Sequence, residues 1–202
     1  MSTYKKNLEL LAKNNVYSKE MEHDACGVGL IASTEGKKSR EVVEYGIEAL
    51  KAVWHRGAVD ADGKTGDGAG IHLEIPKNFF VEKIEVTGHT HDGSDICVGM
   101  IFLPRNDYAA QESCKTIVES ELTKNDFSIY GWRQVPVNAK VLGEKALQTM
   151  PEIIQVLFKA NNKNLLDKDL ERKIYETRKK IENKAFNLSL NNFYICSISA
   201  KS

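Results

Sequence analysis

The chain has 202 residues, of which 42% are hydrophobic, so it is long enough for one domain with a buried core. Lysine plus arginine and aspartate plus glutamate both number 28, so the formal net charge gives no electrostatic reason to expect nucleic acid or an acidic membrane surface as a partner. Since the apolar runs are short and the amino terminus lacks an apolar core, neither a transmembrane helix nor a secretory signal is predicted, and a cytoplasmic chain is expected.

Residues 1–25 form a polar leader. Within residues 7–13, three leucines have the spacing of a short amphipathic helix, which is too short to hold a fold alone. From the residues alone, the leader is predicted to be a disordered or loosely docked terminus that stays on the protein.

Cys26 lies between this leader and an apolar run, residues 28–32, which predicts a buried β-strand. Gly27 and Gly29 have no Cβ atom, so backbone or a small ligand can approach the thiol closely, as a catalytic thiol requires. Free cysteine is also among the most frequently buried residue types. From these residues alone, Cys26 is either a nucleophile or a small core side chain.

A helix is predicted over residues 40–55, with Ser39 as its cap. Val43, Ile47, Leu50 and Trp54 recur at helical spacing on one face. Gly57 stands where a helix carboxyl end favours a left-handed residue, and Arg56 can interact with the last carbonyl groups. These residues alone predict a helix end at Arg56 and Gly57.

Glycine and aspartate alternate in residues 60–70. The order of possible ligands differs from that of a calcium-binding EF-hand loop, and a phosphate-binding loop would need an earlier glycine before the sequence Gly-Lys-Thr. We therefore predict a tight loop whose glycines allow close backbone packing, followed by a second strand at residues 69–75.

The rest of the chain predicts alternating strands and helices. Residues 79–95 are interpreted as a connection, in which His89 and His91 could bind a metal together with a cysteine, although loop histidines are more often solvated. The predicted strands are residues 96–103, 127–136, 152–159 and a strand from 192, and the predicted helices are 107–124, 142–150 and 167–186.

Three further cysteines, Cys97, Cys114 and Cys196, are scattered along these elements without CxxC spacing. In a reducing compartment this pattern argues against a disulfide framework or a structural zinc site. Cys97 lies in a predicted strand and Cys114 on the apolar face of a predicted helix, so both are predicted to be packing residues.

Five segments together resemble the amino-terminal glutaminase domain of the glutamate synthase large subunit, a class II glutamine amidotransferase and an amino-terminal-nucleophile (Ntn) hydrolase. They are residues 23–29 (HDACGVG), 55–70 (HRGAVDADGKTGDGAG), 131–138 (GWRQVPVN), 142–146 (LGEKA) and 170–173 (LERK). The resemblance spans nearly the whole chain. It implies an α+β fold, part of the Ntn-hydrolase αββα sandwich with two mostly antiparallel sheets between helical layers.

The resemblance also implies roles for particular residues. Residues 1–25 would be a propeptide, cleaved between Ala25 and Cys26, and residues 26–202 would be the amino-terminal half of the glutaminase domain. Cys26, as the new first residue, would be the nucleophile that attacks the side-chain amide of glutamine, with its own α-amine as the base. Arg56 and Gly57 would support the site by holding that amine, and no metal is implied.

The family enzyme has further motifs that are absent from these 202 residues. They are an arginine motif for the substrate carboxylate and an Asn-Gly pair for the oxyanion, so the chain alone is expected to be inactive. The chain is expected to have no cofactor of its own, since FMN and an iron–sulfur cluster would lie in the missing part. Its partners would be the rest of the synthase chain and an electron-donating subunit or ferredoxin, with the ammonia used for glutamate synthesis from 2-oxoglutarate. The alternative is a non-catalytic αβ fragment that binds a partner.

Overall fold

The computed structural model of the protein describes residues 6, 7, 9, 10, 13, 27–53 and 58–202. The chain divides into two compact units, Met1–Ala58 and Val59–Ser202. The described residues between 6 and 13 have helical backbone, as the leucine spacing predicts. Across the described parts of the chain, no helix is both long and apolar enough to cross a membrane.

Helix α1 (Arg40–Ala52) confirms the predicted helix and its cap. Ser39 has extended backbone, and its hydroxyl accepts a hydrogen bond from the Val42 backbone nitrogen at 3.3 Å. This bond satisfies one of the amide groups that the first helical turn leaves without a partner. The predicted apolar residues Val43, Ile47 and Leu50 are half-buried, whereas Trp54 lies outside the described residues.

The two predicted strands at residues 28–32 and 69–75 are wrong. Both segments lack regular secondary structure, and Val28 and Leu30 are 91% and 89% exposed. A strand needs a neighbour to pair with its N–H and C=O groups, and neither segment lies in a sheet formed by the described residues. The apolar pattern alone therefore did not determine strand formation here.

A four-stranded antiparallel sheet is the centre of the second unit. Its strands are β1 (Cys97–Leu103), β2 (Phe127–Gln134), β3 (Glu152–Ala160) and β4 (Tyr194–Ser199), in the order β2-β3-β1-β4. All neighbouring pairs are antiparallel, and the four predicted strands are confirmed. Gly99 of β1 lies opposite Val156 and Ile198, where a Cβ atom would come within 2.7 Å of Val156 Cγ1.

The helices of this unit are α2 (Lys77–Val86), α3 (Tyr108–Lys124), α4 (Glu144–Thr149) and α5 (Asp167–Asn187), with a 3₁₀ turn at Ala139–Val141. The last three helices were predicted. Helix α2 replaces the predicted connection, because Phe80 and Ile84 lie four residues apart and both are buried. The sequence signal was weak, since these are its only buried residues and Pro76, its N-terminal cap residue, makes no side-chain capping bond.

Helices α3 and α5 cover one face of the sheet. Their inward side chains meet Phe127 and Phe158, whose rings pack edge to face with centroids 5.3 Å apart. The residues predicted for the inward faces of both helices are buried: Cys114, Ile117, Val118 and Leu122 on α3, and Leu170, Ile174, Ile181 and Ala185 on α5. Full burial of a side chain such as Ile or Leu contributes about 1.5–3 kcal/mol, so this layer supplies much of the stability of the unit.

Helix α2 packs on the other face of the sheet. The buried residues of this second cluster are Ile75, Phe80, Ile84, Ile96, Val98, Tyr130 and Leu157. The predicted α+β class is therefore confirmed. One antiparallel sheet with helices on both faces is consistent with part of the αββα sandwich that the resemblance implies.

Candidate functional site

The residues predicted to carry the chemistry, Cys26, Arg56 and Gly57, lie outside the described residues. Ala25, on the other side of the predicted cleavage point, lies outside them as well. The chain is described again from Gly27 and from Ala58 onward. The roles of these residues therefore stay predictions.

The other three cysteines are free thiols. Cys97 and Cys114 are only 0% and 1% exposed, which confirms that they are packing residues. Burial raises the pKa of Cys97 to about 12 and that of Cys114 to about 11. Since the thiolate is the reactive form of cysteine, neither is suited to nucleophilic chemistry near neutral pH. Cys196 is exposed on strand β4.

The aspartate- and glycine-rich segment after Ala58 forms the predicted tight loop. Val59 and Gly66 pair as an isolated antiparallel bridge, and the Asp60 backbone nitrogen donates to the Thr65 carbonyl at 2.7 Å. Gly63 turns the chain with a φ of +68°, a conformation that other residues rarely adopt. The glycines do not serve close packing as predicted, because a Cβ atom on Gly63, Gly68 or Gly70 would meet nothing within 4 Å.

The carboxylate of Asp62 stabilises this loop by accepting three hydrogen bonds from residues within it. Its Oδ1 atom accepts the backbone N–H groups of Lys64 at 2.9 Å and Thr65 at 2.7 Å, and its Oδ2 atom accepts the Thr65 hydroxyl at 2.5 Å. These bonds, with that of the Thr65 hydroxyl first, hold the pKa of Asp62 well below its usual range. The carboxylate is therefore ionised throughout the neutral range.

The loop is fastened to the amino-terminal end of helix α4. The Thr65 hydroxyl accepts from the Ala146 backbone nitrogen at 3.5 Å, and the Lys145 ammonium pairs with Asp60 at 2.6 Å. Gly143, the N-terminal cap residue of α4, is buried beneath the loop. A Cβ atom there would overlap the side chains of Thr65 and Asp62 and lie 2.5 Å from the Thr65 nitrogen, so only glycine fits.

This contact joins two of the segments that carry the resemblance, residues 55–70 and 142–146. The sequence analysis assigned no role to Asp62, Thr65 or Gly143. The available signal was a single glycine in the first turn of a predicted helix, although nothing in the sequence identified the loop as its partner. The structure thus adds a polar anchor between the loop and α4, made by Asp60, Asp62 and Thr65.

The two histidines that could bind a metal are directed to different partners. His89 Nδ1 lies 3.1 Å from the Thr87 hydroxyl, and His91 Nε2 lies 2.8 Å from the Ser94 carbonyl. Within residues 27–53 and 58–202 and the few described before them, no three His, Cys, Asp or Glu side chains are grouped closely enough to hold a metal ion.

A compact charged cluster surrounds the nearby Asp92. Its Oδ2 atom pairs with the ammonium groups of Lys163 at 2.8 Å and Lys159 at 2.9 Å, and the Ser94 hydroxyl donates to Oδ1 at 2.5 Å. These bonds, with that of Lys163 first, hold the pKa of Asp92 far below its usual range. The Lys159 ammonium also lies 5.4 Å from the ring centroid of Tyr130. The cluster therefore ties the loop before β1 to the end of β3.

Comparison with known proteins identifies relatives of the chain. The family model described as "Glutamine amidotransferases class-II" matches residues 26–202. The chain is 52% identical over 202 residues to the glutamate synthase [NADPH] large chain of Azospirillum brasilense. That similarity covers 100% of this chain and 13% of the relative.

Ferredoxin-dependent glutamate synthases are also similar to the chain. The protein from Pyropia yezoensis is 39% identical over 196 residues, covering 94% of this chain and 12% of the relative. Ferredoxin-dependent glutamate synthase 1 of Arabidopsis thaliana is 40% identical over 180 residues, covering 88% of this chain and 11% of the relative. The chain thus spans about an eighth or less of the length of these curated relatives.

Proposed function

The chain belongs to the class II glutamine amidotransferases, and from this membership we propose that Cys26 is the nucleophile of glutaminase chemistry that the chain performs as part of a longer protein. The observation that carries the proposal is the family match over residues 26–202, which begins at this cysteine and leaves the predicted leader outside it. Cleavage between Ala25 and Cys26 would make the cysteine the first residue and expose its α-amine. In this proposal processing is the activating step.

The thiol sulfur of Cys26 attacks the side-chain carbonyl carbon of glutamine while the α-amine of the same residue takes the thiol proton. An α-amine has a pKa of about 7.7–8.0, so an appreciable fraction is neutral at working pH, whereas a peptide nitrogen cannot accept the proton. Collapse of the tetrahedral intermediate breaks the C–N bond and releases ammonia, with the proton returned to the leaving nitrogen. Water then hydrolyses the thioester, which yields glutamate and restores the thiol.

Arg56 and Gly57 are assigned supporting roles, in which they hold the amine of Cys26 beside the thiol. Such positioning matters because a misplacement of about 1 Å in a reacting group can cost about a hundredfold in rate. The burial and raised pKa values of Cys97 and Cys114 support Cys26 as the nucleophile. Cys196, the remaining exposed thiol, is the natural control.

We further propose that the ammonia serves glutamate synthesis from 2-oxoglutarate within a longer protein. The relatives named as NADPH- or ferredoxin-dependent glutamate synthases support this proposal. An iron–sulfur cluster does not fit the described residues, since the three described cysteines do not belong to any potential metal-binding group. We assign the FMN and the cluster that the resemblance implies to other parts of the synthase, with ferredoxin or an electron-donating subunit as the partner.

The experiment is a mass-spectrometric measurement of these residues within the longer protein, before and after incubation with a diazoketone analogue of glutamine. The expected result is loss of residues 1–25 and addition of one label, mapped by peptide analysis to Cys26. Cys26→Ser abolishes both processing at this point and labelling, whereas the control Cys196→Ser keeps both. Labelling that persists in Cys26→Ser, or an unlabelled chain with its leader still attached, would overturn the proposal.

A further inference from the structure

We propose that Arg133 and Gln155 form a binding site for a carboxylate group, on the face of the sheet on which α2 packs. The inference does not depend on the chemistry proposed for Cys26, because every residue in it belongs to the unit Val59–Ser202. The Nη1 atom of Arg133 donates a hydrogen bond to the side-chain oxygen of Gln155 at 2.7 Å. This bond holds the two side chains together.

The strand pairing places both side chains on the same face of the sheet. Arg133 of β2 lies opposite Gln155 of β3, which in turn lies opposite Met100 of β1. The neighbours of Gln155 in β3, Ile154 and Val156, belong to the core under α3 and α5. Since side chains alternate along a strand, Gln155 points to the other face. The guanidinium and the amide therefore lie in one row across the sheet.

The amide nitrogen of Gln155 has no hydrogen-bond partner among the described residues. Gln155 is only 8% exposed, and its one printed bond there is the one that its oxygen accepts from Arg133. A guanidinium only donates, so this bond fixes the orientation of the amide and leaves Nε2 with two N–H groups. A largely buried donor without an acceptor is costly. An oxygen atom supplied by a ligand would remove that cost.

Arg133 presents the edge of its guanidinium that suits a carboxylate. Its bond to Gln155 uses Nη1, so the parallel N–H groups of Nε and Nη2 have no partner among the described residues. Two parallel N–H groups match the two oxygens of a carboxylate and form a charge-assisted, bidentate pair with it. Arg133 is half-buried and makes no ion pair with any described residue. A bound carboxylate would supply the missing negative charge.

A second cation lies close to the site. The ring of Phe79 on α2 has the guanidinium carbon of Arg133 at 5.2 Å and the ammonium of Lys83 at 5.0 Å from its centroid. The two cations are therefore no more than about 10 Å apart, and Lys83 makes no ion pair within the described part of the chain either. The ring attracts both cations but offers no negative charge. This local excess of positive charge favours an anion.

The number of donors favours a carboxylate over a phosphate. The site offers one edge of a guanidinium and one neutral amide, which match two oxygens and a single negative charge. A phosphate group carries a charge of about −1.5 to −2 near neutral pH and three acceptor oxygens. The carboxylate belongs either to a small molecule or to an Asp or Glu side chain of the longer protein. The chemistry that is recognised is the same, and the test separates the two sources.

The test measures the rate at which phenylglyoxal modifies Arg133 in the longer protein, by peptide-resolved mass spectrometry at constant ionic strength. The control is Arg105, which is exposed and donates only to the Met150 sulfur among the described residues. Saturating succinate should slow the modification of Arg133 about tenfold and leave that of Arg105 unchanged, because a bound carboxylate covers the reactive guanidinium. The uncharged succinamide should affect neither residue. This result identifies a free carboxylate as the ligand.

A carboxylate side chain of the protein gives a different result. Arg133 should then be modified about tenfold more slowly than Arg105 without any probe. In Arg133→Lys a carbodiimide should join the new amine to the carboxylate that occupies the site, and the cross-linked peptide identifies the Asp or Glu. This result also supports the inference.

Gln155→Glu is a matched variant of nearly the same shape. It places a carboxylate beside Arg133, so Arg133 should be protected about tenfold without a probe and succinate should have no further effect. The control is Gln148→Glu on the exposed surface of α4, which should behave as the unchanged protein does. If Gln155→Glu does not fold, the measurements on the unchanged protein still decide the question.

Modification of Arg133 at the rate of Arg105, with no effect of succinate, would overturn the inference. Slow modification without a probe effect and without a carbodiimide product would also overturn it, since something other than a carboxylate would then cover Arg133. Protection by inorganic phosphate but not by succinate would overturn the assigned class of ligand. A failure of labelling at Cys26 has no bearing on these outcomes, so the two proposals fail separately.

Discussion

The carboxylate of Glu121 on α3 accepts a hydrogen bond from the ammonium of Lys184 on α5. This ion pair joins the two helices that cover one face of the sheet. Glu121 is only 5% exposed, and Lys124 lies 3.7 Å from the same oxygen atom. Because a buried carboxylate is costly without a partner, the pair constrains how the two helices pack.

Replacing Lys184 with Met is expected to lower the free energy of unfolding by about 1–2 kcal/mol, since it leaves Glu121 with the more distant Lys124. This loss of stability is at the low end for the removal of one partner of a buried ion pair, because the side chain of Lys184 is partly exposed. Urea unfolding at pH 7 measures the change. The control is Lys115→Met on α3, which removes the partner of the exposed Glu112 and should change stability by less than about 0.5 kcal/mol. Equal losses of stability in Lys184→Met and Lys115→Met would contradict a particular contribution of the Glu121–Lys184 pair.

The same pair predicts a pH dependence. The hydrogen bond from Lys184 lowers the pKa of Glu121 in the folded protein. A carboxyl group with a depressed folded pKa contributes stability above its unfolded pKa, about 4.3, and this contribution is lost as the pH falls through the folded pKa. The difference in unfolding free energy between the unchanged protein and Glu121→Gln should therefore be constant from pH 7 to about pH 5 and shrink in more acidic solution. If the difference in unfolding free energy instead grows as the pH falls, the pKa of Glu121 is not lowered in the folded protein.

Gly131 in strand β2 is expected to tolerate no side chain. Its φ is +148°, at an irregularity in the pairing of β2 with β3, and a Cβ atom would lie 2.9 Å from Thr87 Cγ2 at the end of α2. Gly131→Ala should therefore lower the free energy of unfolding by about 1–3 kcal/mol through strain and overlap. Gly70→Ala, where the added methyl group has open space, is the matched control and should be nearly neutral. Thermal unfolding measures both variants. A similar melting temperature for the two would contradict the predicted strain and overlap at Gly131.

The buried hydroxyl group of Tyr130 is expected to contribute little to the free energy of unfolding. The residue is 4% exposed, and its hydroxyl has no hydrogen-bond partner among the described residues. A buried polar group without a partner is costly, so Tyr130→Phe should leave stability unchanged or raise it by up to about 1 kcal/mol. Chemical unfolding measures this, with Tyr45→Phe on the exposed face of α1 as the control. A loss of more than about 1 kcal/mol in Tyr130→Phe alone would indicate that the hydroxyl has a partner in solution.

Local signals predicted most of the fold. Helix α3 begins after Asp107, whose side chain accepts from the Ala110 nitrogen at 2.9 Å, and its inward face follows the 3–4 spacing of apolar residues. The capping residue and the apolar spacing are both local features of the sequence, so they could be recognised without knowledge of distant contacts. The apolar run of β1 predicted a strand correctly, whereas the similar run at residues 28–32 did not, because pairing depends on a distant partner that the pattern does not encode.

The candidate site was less predictable for the same physical reason. The contact of Thr65 with Gly143 and Ala146 is long-range, and neither segment indicates the other by composition. The roles of Cys26 and Arg56 came from resemblance, since the residues alone also fit a core thiol and a helix end. Physical reasoning did identify the thiols that are unsuitable, because their apolar spacing predicted the burial that is observed.

That burial predicts a large difference in thiol reactivity. With a pKa of about 12, Cys97 has about one ten-thousandth of its thiol ionised at pH 8, and burial also blocks access to it. In a Cys26→Ser variant, iodoacetamide should therefore modify Cys196 in the folded protein, whereas Cys97 and Cys114 should react only on the timescale of unfolding. Raising the pH from 7 to 9 should leave Cys97 and Cys114 protected in the folded protein. Peptide-resolved mass spectrometry measures each site, with a urea-unfolded sample as the control in which all three react at similar rates. Modification of Cys97 or Cys114 at the rate of Cys196 in the folded protein would contradict the packing of β1 and α3.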